Sequence, residues 1–466
     1  MRESQEAETE SWRVLLFART GAELLVFRTA AGFRLPEVHI PKWQRIVPNL
    51  IAEVKRLWRF NTVCLFPFGI GPLEPSGCER KYQVMEFTDP EVLAQAVPDS
   101  LVVSDLEERW FADRLDFLAV AKAMRFDGRS FAETSRGPFS EFGSFEKICA
   151  WVETELGYSG LYRHGSFRQL QASASASLIR FESDSGAAWF KAVGGPTTRE
   201  FFITRQLSSR YPSFLPVCIA HRADWNAWLT EEAQGQDLFH CPESAWRRAA
   251  ASLAEMQISS LPGAADILSC GAHDVRSRAL LSVVTPFFEA AGRLMDHQTK
   301  AVPAPLRAGE IAEVQEQVVS LLERPGFTSI PDSLNHLDPN PGNIFVSKNR
   351  CAFLDWAEAA VGNPFLTFEY LRQHFSRAFP TGDADALFRA YASRWAPVLS
   401  HHVAEEAARL APLVAVFAHA VSNDVWRNPQ KMQDPLLAGY FRSLVRRMKT
   451  YADHLCAALC ETETRA

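Results

Sequence analysis

No basic excess is present: 49 lysines and arginines face 55 aspartates and glutamates, a formal net charge of −6. A general nucleic-acid-binding surface needs the opposite balance, so no nucleic-acid partner is expected. Long apolar runs are missing too. The longest, from Leu410 to Val421, is interrupted by Pro412 and His419. It is too short to span a bilayer and is expected to form a buried helix, with no membrane contact. The polar start, "MRESQEAETESW", has neither the basic flank nor the apolar core of a secretory signal. The nine cysteines form no Cys-x-x-Cys pair. Cys456 and Cys460, one helical turn apart, suit packing or surface positions better than metal binding. These features predict a reduced, cytoplasmic protein. There is no internal repeat and no low-complexity tract.

What is present is an ordinary globular composition, 47% apolar and 22% charged over 466 residues. At roughly 100 to 200 residues per domain the chain holds several cores. Residues 1–127 predict a small mixed α/β domain. "RVLLF" and "LLVFR" flank the turn-like "ARTGAE" and read as a hairpin. "QRIVPNLIAEVKRLWRF" has apolar residues at helical spacing. "NTVCLFPF" and "KYQVMEF" read as strands, and "LEERWFADRLDFLAVAKAMRF" as one long helix. Residues 128–144 are rich in small polar residues, glycine and proline, and predict a linker. Residues 145–240 begin with the amphipathic helix "SFEKICAWVETEL", with Ser144 as its cap. They continue with the strands "SLIRFES", "AWFKAV" and "WNAWLTEE". Residues 241–466 are mainly helical, interrupted by one strand-loop-strand island from Ser333 to Glu358.

That island carries the chemistry: "SLNHLDPNPGNIFVSKNRCAFLDWAE". Asp338, at a loop tip, can accept a proton from an attacking hydroxyl. Asn343 offers an amide oxygen and Asp355 a carboxylate, hard donors suited to Mg²⁺ shared with phosphates. "NIFV" and "CAFLD" predict a hairpin whose open end brings Asn343 and Asp355 together. Upstream, Lys191 follows an apolar strand and can reach nucleotide phosphates, and Glu200 on the next helix can orient it by an ion pair. Blander readings exist for each part. "DPNPGN" is also the composition of a plain turn, Asp355 a solvated acid, and Lys191 a surface lysine.

The order lysine, glutamate, aspartate, asparagine, aspartate resembles the protein-kinase-like phosphotransferases, most closely the aminoglycoside phosphotransferase and choline kinase family. "HLDPNPGNIFV", "FLDW" and "GNPFLTFEYL" match that family's motifs. The resemblance covers about residue 145 to the C-terminus. It implies an α+β, two-lobed protein-kinase-like fold behind the N-terminal domain, with residues 145–240 as the smaller lobe. It implies an enzyme that moves the γ-phosphate of ATP or GTP, with Mg²⁺, to a hydroxyl of a small molecule. In that frame Asp338 is the catalytic base, and Asn343 and Asp355 hold Mg²⁺. Lys191 contacts the α and β phosphates with Glu200 as partner, His336 braces the loop, and Trp228 to Glu232 form the hinge strand. Three departures stand out: Leu337 replaces a glycine, Asn363 a common aspartate, and "RHGSFRQLQASASASLIRF" offers Gly165 but no glycine-rich loop. These departures support an alternative, a nucleotide-binding pseudokinase or scaffold acting through a protein partner.

The acceptor is open among aminoglycoside-, amino-alcohol- and sugar-like hydroxyl compounds. Glu358, Glu369 and Asp424 are candidates for an acid-lined pocket. Trp356, Tyr370, Trp395 and Trp426 are candidates for an aromatic cage around a choline-like cation. The order of strands and helix in residues 1–127 resembles a Nudix fold. Its glutamate-rich metal helix is reduced here to Glu53, which implies a domain without hydrolase activity.

Overall fold

The computed structural model describes residues 8–71, 79–89, 100–103, 106–124, 137–157, 167–183, 186–422 and 424–465, with the backbone alone at 100–103, 183 and 458–465. The chain forms two compact units: Met1–Phe201 with Val217–Glu232, and Phe202–Pro216 with Ala233–Ala466. The expected N-terminal domain and the start of the expected smaller lobe thus share one unit.

The first unit opens with a seven-stranded sheet. Its strands are β1 (Thr9–Phe17), β2 (Leu24–Thr29), β3 (Gly32–Arg34), β4 (Glu37–Pro41), β5 (Thr62–Ile70), β6 (Arg80–Phe87) and β7 (Ser100–Val103). The order is β3-β2-β1-β6-β5, with β4 against β1 and β7 against β2. The hairpin around "ARTGAE" forms, with Leu16 opposite Leu25 and Phe17 opposite Leu24. Alternation along β1 sends Val14 and Leu16 to one core and Leu15 and Phe17 to another. Helix α1 (Ile46–Trp58) covers the first face with Val47, Leu50 and Val54; Leu50 and Val54 belong to the spacing expected from the sequence, whereas Ile46 and Leu57, also expected on it, are exposed. Helix α2 (Arg114–Met124) covers the second face with Ala119, Val120 and Ala123.

The long helix expected from Leu106 onward is shorter than its pattern. Only Glu108–Trp110 make a 3₁₀ turn before the chain extends, and α2 starts at Arg114. Phe111 bridges Phe33, and the Ala112 N–H donates to the Phe33 carbonyl at 2.9 Å. Edge-on contacts of Phe33 with Trp110 and Phe111 hold that extended stretch against the sheet. A tertiary contact has overridden helix propensity here.

Helix α3 (Ser144–Leu156) follows, then a five-stranded antiparallel sheet. Its members are β8 (Phe167–Ala172), β9 (Ala176–Ser183), β10 (Gly186–Val193), β11 (Cys218–Arg222) and β12 (Ala227–Glu231), ordered β11-β12-β10-β9-β8. Ser144 is the first helical residue of α3 and not its cap; Gly143 takes that place, and the Ser144 hydroxyl donates to the Phe139 carbonyl at 2.9 Å. Helix α4 (Arg199–Arg210) leaves β10 and passes from the first unit to the second after Phe201. The Gln169 side chain ties the two sheets together. It donates to the Cys64 carbonyl and accepts from the Cys64 N–H, both at 2.8 Å and both buried.

The second unit is mainly helical. It contains β13 (Gln236–Asp237), α5 (Glu243–Ser260), α6 (Ala264–Ser269), β14 (His273–Val275), α7 (Ser277–Asp296), α8 (Ala308–Glu323) and α9 (Pro325–Thr328). Then come β15 (Ser333–His336), β16 (Ile344–Val346), β17 (Cys351–Phe353), β18 (Ala359–Gly362), α10 (Phe365–Ala378), α11 (Ala384–Trp395), α12 (His401–Ser422) and α13 (Pro435–Arg465). Two three-stranded sheets, β13-β16-β17 and β14-β18-β15, sit among these helices. Gly235 leads into β13 at φ +99°, where a Cβ would stand 2.3 Å from the Val346 carbonyl oxygen, so no larger residue fits the turn. The apolar run of Leu410 to Val421 lies inside α12 and is almost wholly buried. Among the described residues no helix is long and apolar enough to cross a membrane.

Candidate active site

Strand β15 ends at His336, and the next two side chains go opposite ways. Leu337 is 1% exposed and packs in a core with Phe327, Leu366 and Phe417. Its N–H donates to the Glu358 carbonyl at 3.1 Å. Asp338 is exposed at the tip. The leucine at this position fills a core.

The loop after Asp338 is held by its own polar atoms. The Asn340 N–H donates to the Asp338 carbonyl at 2.7 Å, and the Asn340 side chain accepts from the Gly342 N–H at 2.9 Å. The Asn343 Nδ2 points to the Asp338 carbonyl at 3.5 Å, which leaves its Oδ1 available to a cation. Ile344 faces Phe353 in the β16–β17 hairpin, and the Leu354 N–H donates to the Asn343 carbonyl at 2.8 Å. The hairpin thus brings Asn343 beside Asp355, as its sequence pattern predicted.

Asp355 is exposed and left-handed, at φ 64° and ψ 67°. Such a backbone is uncommon outside glycine, and aspartate is one of the few residues that tolerate it. The conformation ends β17 abruptly and starts the 3₁₀ turn Trp356–Glu358.

His336 braces this pair of segments from beneath. It is 1% exposed, and its Nε2–H donates to the Leu354 carbonyl at 2.8 Å. Its ring lies 4.7 Å from that of Trp356. Burial pushes the imidazole below its ordinary pKa, against the raising influence of the Leu354 carbonyl, Asp355 and Asp338. The neutral ring then keeps one proton, on Nε2, and Nδ1 has no hydrogen-bond partner. A second clamp went unseen in the sequence. Thr367 on α10 donates its hydroxyl to the Asn335 Oδ1 at 2.7 Å and accepts from the His336 N–H at 2.9 Å. Asn335 in turn donates to the Gly362 carbonyl at 3.0 Å. No sequence pattern marked this clamp: β15 reads SLNH, in which Asn335 is one polar residue among three, and Thr367 is a single hydroxyl in a helix. Asn363, the other departure, is 4% exposed, donates to the Phe327 carbonyl at 3.2 Å and accepts from the Phe365 N–H at 3.0 Å. It starts α10 and points to structure.

In the first unit, Lys191 lies within β10, not beyond its end, opposite Leu178 on β9 and Trp228 on β12. Its Nζ meets the Glu200 carboxylate at 2.5 Å and lies 5.7 Å from the Trp228 ring centroid. The lysine side chain is 19% exposed and the glutamate 3%. The nine-residue spacing suffices because α4 begins six residues after β10 ends. The small-residue loop between β8 and β9 is only Ser173–Ser175. The Ser173 hydroxyl accepts from the Ser175 N–H at 3.3 Å and the Ala176 N–H at 2.9 Å. Gly165, the one glycine of that stretch, lies outside the described residues.

Glu53, the remnant of the Nudix-type helix, pairs with Arg56 at 2.7 Å. Among the described residues no three histidine, cysteine or acidic side chains gather as a metal site. The expected magnesium pair, one amide and one carboxylate, is of the kind that is completed by phosphates and water.

Comparison with known proteins adds the following. Residues 198–401 match the model of the phosphotransferase enzyme family. No protein of curated function matches. Among solved structures, the GDP complex of aminoglycoside 2'-phosphotransferase-IIIa is 15% identical, covering 66% of this chain and 98% of that one, with a TM-score of 0.46. A choline/ethanolamine kinase family protein from Mesorhizobium loti is 14% identical over 66% and 94%, with a TM-score of 0.43. Choline kinase from Cryptosporidium parvum is 12% identical over 68% and 97%, with a TM-score of 0.45.

Proposed function

With residues 198–401 matched to the phosphotransferase enzyme family, we propose that this chain is a Mg²⁺-dependent kinase that phosphorylates a hydroxyl of a small molecule with ATP or GTP. The coarse assignment, a phosphotransferase with a hydroxyl acceptor, rests on that match. The finer one is supported above all by Asp355, a left-handed carboxylate held beside Asn343 and braced by a buried neutral histidine. A backbone in a sparsely populated region costs about 1 kcal/mol or more and typically occurs where geometry serves a site.

Each residue has a distinct task. Asp338 accepts the proton of the acceptor hydroxyl as its oxygen bonds to the γ-phosphorus. The bond from that phosphorus to the β–γ bridging oxygen breaks, and ADP or GDP leaves with the electron pair. Asn343 and Asp355 would hold Mg²⁺, which neutralises phosphate charge when bound. Lys191, oriented by Glu200, contacts the nucleotide phosphates, and β12 supplies the hinge for the base. The scaffold reading keeps Leu337 as its motive, but the packing of that side chain in the core leaves the loop intact around Asp338.

The test is turnover and nucleotide binding in two variants. Asp338→Asn is expected to lower kcat by about a hundredfold to ten-thousandfold while Mg²⁺-nucleotide still raises the melting temperature. Asp355→Asn, which tolerates the left-handed backbone, is expected to abolish the magnesium-dependent part of that rise. Turnover unchanged in Asp338→Asn would remove the base assignment. A shift retained in Asp355→Asn would remove the metal assignment.

A further inference from the structure

The side chains considered above for an acceptor pocket are mostly engaged elsewhere. Glu369 is held by Arg372 at 2.7 and 2.9 Å, and Trp356, Tyr370 and Trp395 are buried in the two cores. Trp426 is different. It is 5% exposed and lines a cavity of about 760 Å³ inside the second unit. Small-molecule sites typically span roughly 300–1,000 Å³ and combine an apolar lining with a few polar groups. No residue from His336 to Glu358 lines this cavity, so its occupancy does not depend on phosphotransfer.

The walls follow from helix periodicity. Along α7, Pro286, Ala290, Arg293 and, just past its end, His297 recur at intervals of four and three; they share one face, which borders the cavity. The opposite face of that helix carries Val284, Phe287, Ala291 and Met295 into the core. On α13, Pro435, Ala438 and Arg442 recur at three and four and form the second wall. The 3₁₀ turns Asp424–Arg427 and Lys431–Gln433 supply the floor with Trp426 and Met432. The frame is tied together. Trp426 meets Phe287 of α7 edge-on at 5.4 Å, and Arg442 Nη1 donates to the Leu294 carbonyl at 3.2 Å.

The lining carries three arginines, Arg293, Arg427 and Arg442, against one carboxylate, Glu289. Arg427 is paired with Asp424 at 2.9 Å. Arg442 has no carboxylate partner among the described residues, and its bond to one carbonyl leaves further N–H groups. Arg293 is exposed, and its side chain makes no hydrogen bond or ion pair among the described residues, Glu289 included. We propose that this cavity binds a small organic anion, with a carboxylate or phosphate on Arg293 and Arg442 and an apolar body against Trp426 and Met432. Guanidinium groups suit such anions because their N–H groups fork toward two oxygens. The apolar floor excludes water from one side of the ligand and favours a molecule larger than the bare ion.

The full-length protein, without nucleotide, would be titrated calorimetrically with 2-naphthoate, 2-naphthyl phosphate, 2-naphthamide and acetate. The first two share an apolar body and an anion, the third lacks the charge and the fourth lacks the body. The naphthyl anions are expected to bind with a Kd at least about tenfold below that of the amide, with acetate weaker still, and their ranking separates carboxylate from phosphate. Arg442→Gln should raise the Kd of the anions about tenfold and leave that of the amide unchanged. Arg293→Gln removes an exposed side chain with no contact to lose, so it should act in the same direction even if Arg442→Gln does not fold. Ala290→Phe, at a half-buried position on α7, should fill the cavity and remove binding of every naphthyl probe. An amide that binds as tightly as the anions would overturn the anionic ligand. Anion binding that survives all three substitutions would overturn the site, as would no binding of the anions at millimolar concentration. The same isotherms in Asp338→Asn are expected to be unchanged, so this site and the phosphotransfer reading fail separately.

Discussion

At the scale of single residues, the pair of Lys191 and Glu200 is the most exacting feature of the first unit. Glu200 is 2% exposed, and Lys191 meets its carboxylate at 2.5 Å. Removing only the lysine takes a cation away from a buried carboxylate, and breaking a buried pair in that way costs about 3 kcal/mol. Lys191→Met is therefore expected to lose both stability and nucleotide affinity. Lys191→Met combined with Glu200→Gln should recover most of the stability and none of the affinity. Chemical denaturation beside nucleotide titration separates the two, and additive losses of stability in the double variant would mean that the pair is not coupled. These two residues were legible in the sequence as a lysine after a strand and a glutamate in the next helix, and the structure moves the lysine into the strand itself. Their ion pair was expected as well, and the pairing of β10 with its neighbours is what gives the nine-residue interval its direction. Asp338, Asn343 and Asp355 were more legible, since a short hairpin forces its ends together.

At the scale of elements, strand β6 meets the start of helix α3 through one carboxylate. Glu86 is 1% exposed and accepts from the Gly143 N–H at 2.6 Å, at the N-terminus of α3. Burial raises its pKa to about 7, and the Gly143 N–H and Arg19 oppose that only in part. The sign follows from linkage. The folded chain holds this proton more tightly than the unfolded one, whose carboxyl titrates near 4.5. Stability is therefore lost as pH rises from about 4.5 to about 7, and no more is lost above that. Glu86→Gln keeps the acceptor without the charge. It is expected to stabilise the protein on the order of 2 kcal/mol at pH 8 and by almost nothing at pH 4. A gain of equal size at both pH values would point to packing instead of ionisation. Elements themselves were mostly legible where periodicity was strong, as in α1 and the β1–β2 hairpin. The stretch before α2 was not, because Phe33, far back in the sequence, claims Phe111 and Ala112 for an extended segment.

At the scale of the whole molecule, the question is whether residues 1–127 form a domain of their own. Their composition and the break after them suggest so, but the packing does not respect that boundary. Val63 of β5 lies in one core with Phe139, Phe145, Ile179 and Phe190, and Ala172 of β8 lies in the core under α1. Gln169 completes both polar groups of the Cys64 backbone from 105 residues away. A separation that large is invisible to any local pattern, and a linker-like composition carries no trace of it. Cutting the chain at residue 127 exposes apolar faces and leaves the Cys64 N–H and carbonyl unpaired, each unmade bond costing about 1–3 kcal/mol where water cannot replace it. A fragment of residues 1–127 is accordingly expected to melt without cooperativity, with a broad heat-absorption profile and binding of a hydrophobic dye. A fragment of residues 1–232, which retains both sheets including β11 and β12, is expected to unfold in one sharp transition. Should 1–127 give a sharp transition of its own, the N-terminal region would be an autonomous module able to serve a partner independently. If it does not, a partner of that region must recognise a surface supported by the sheet that carries Lys191, and its binding would be felt at the lysine.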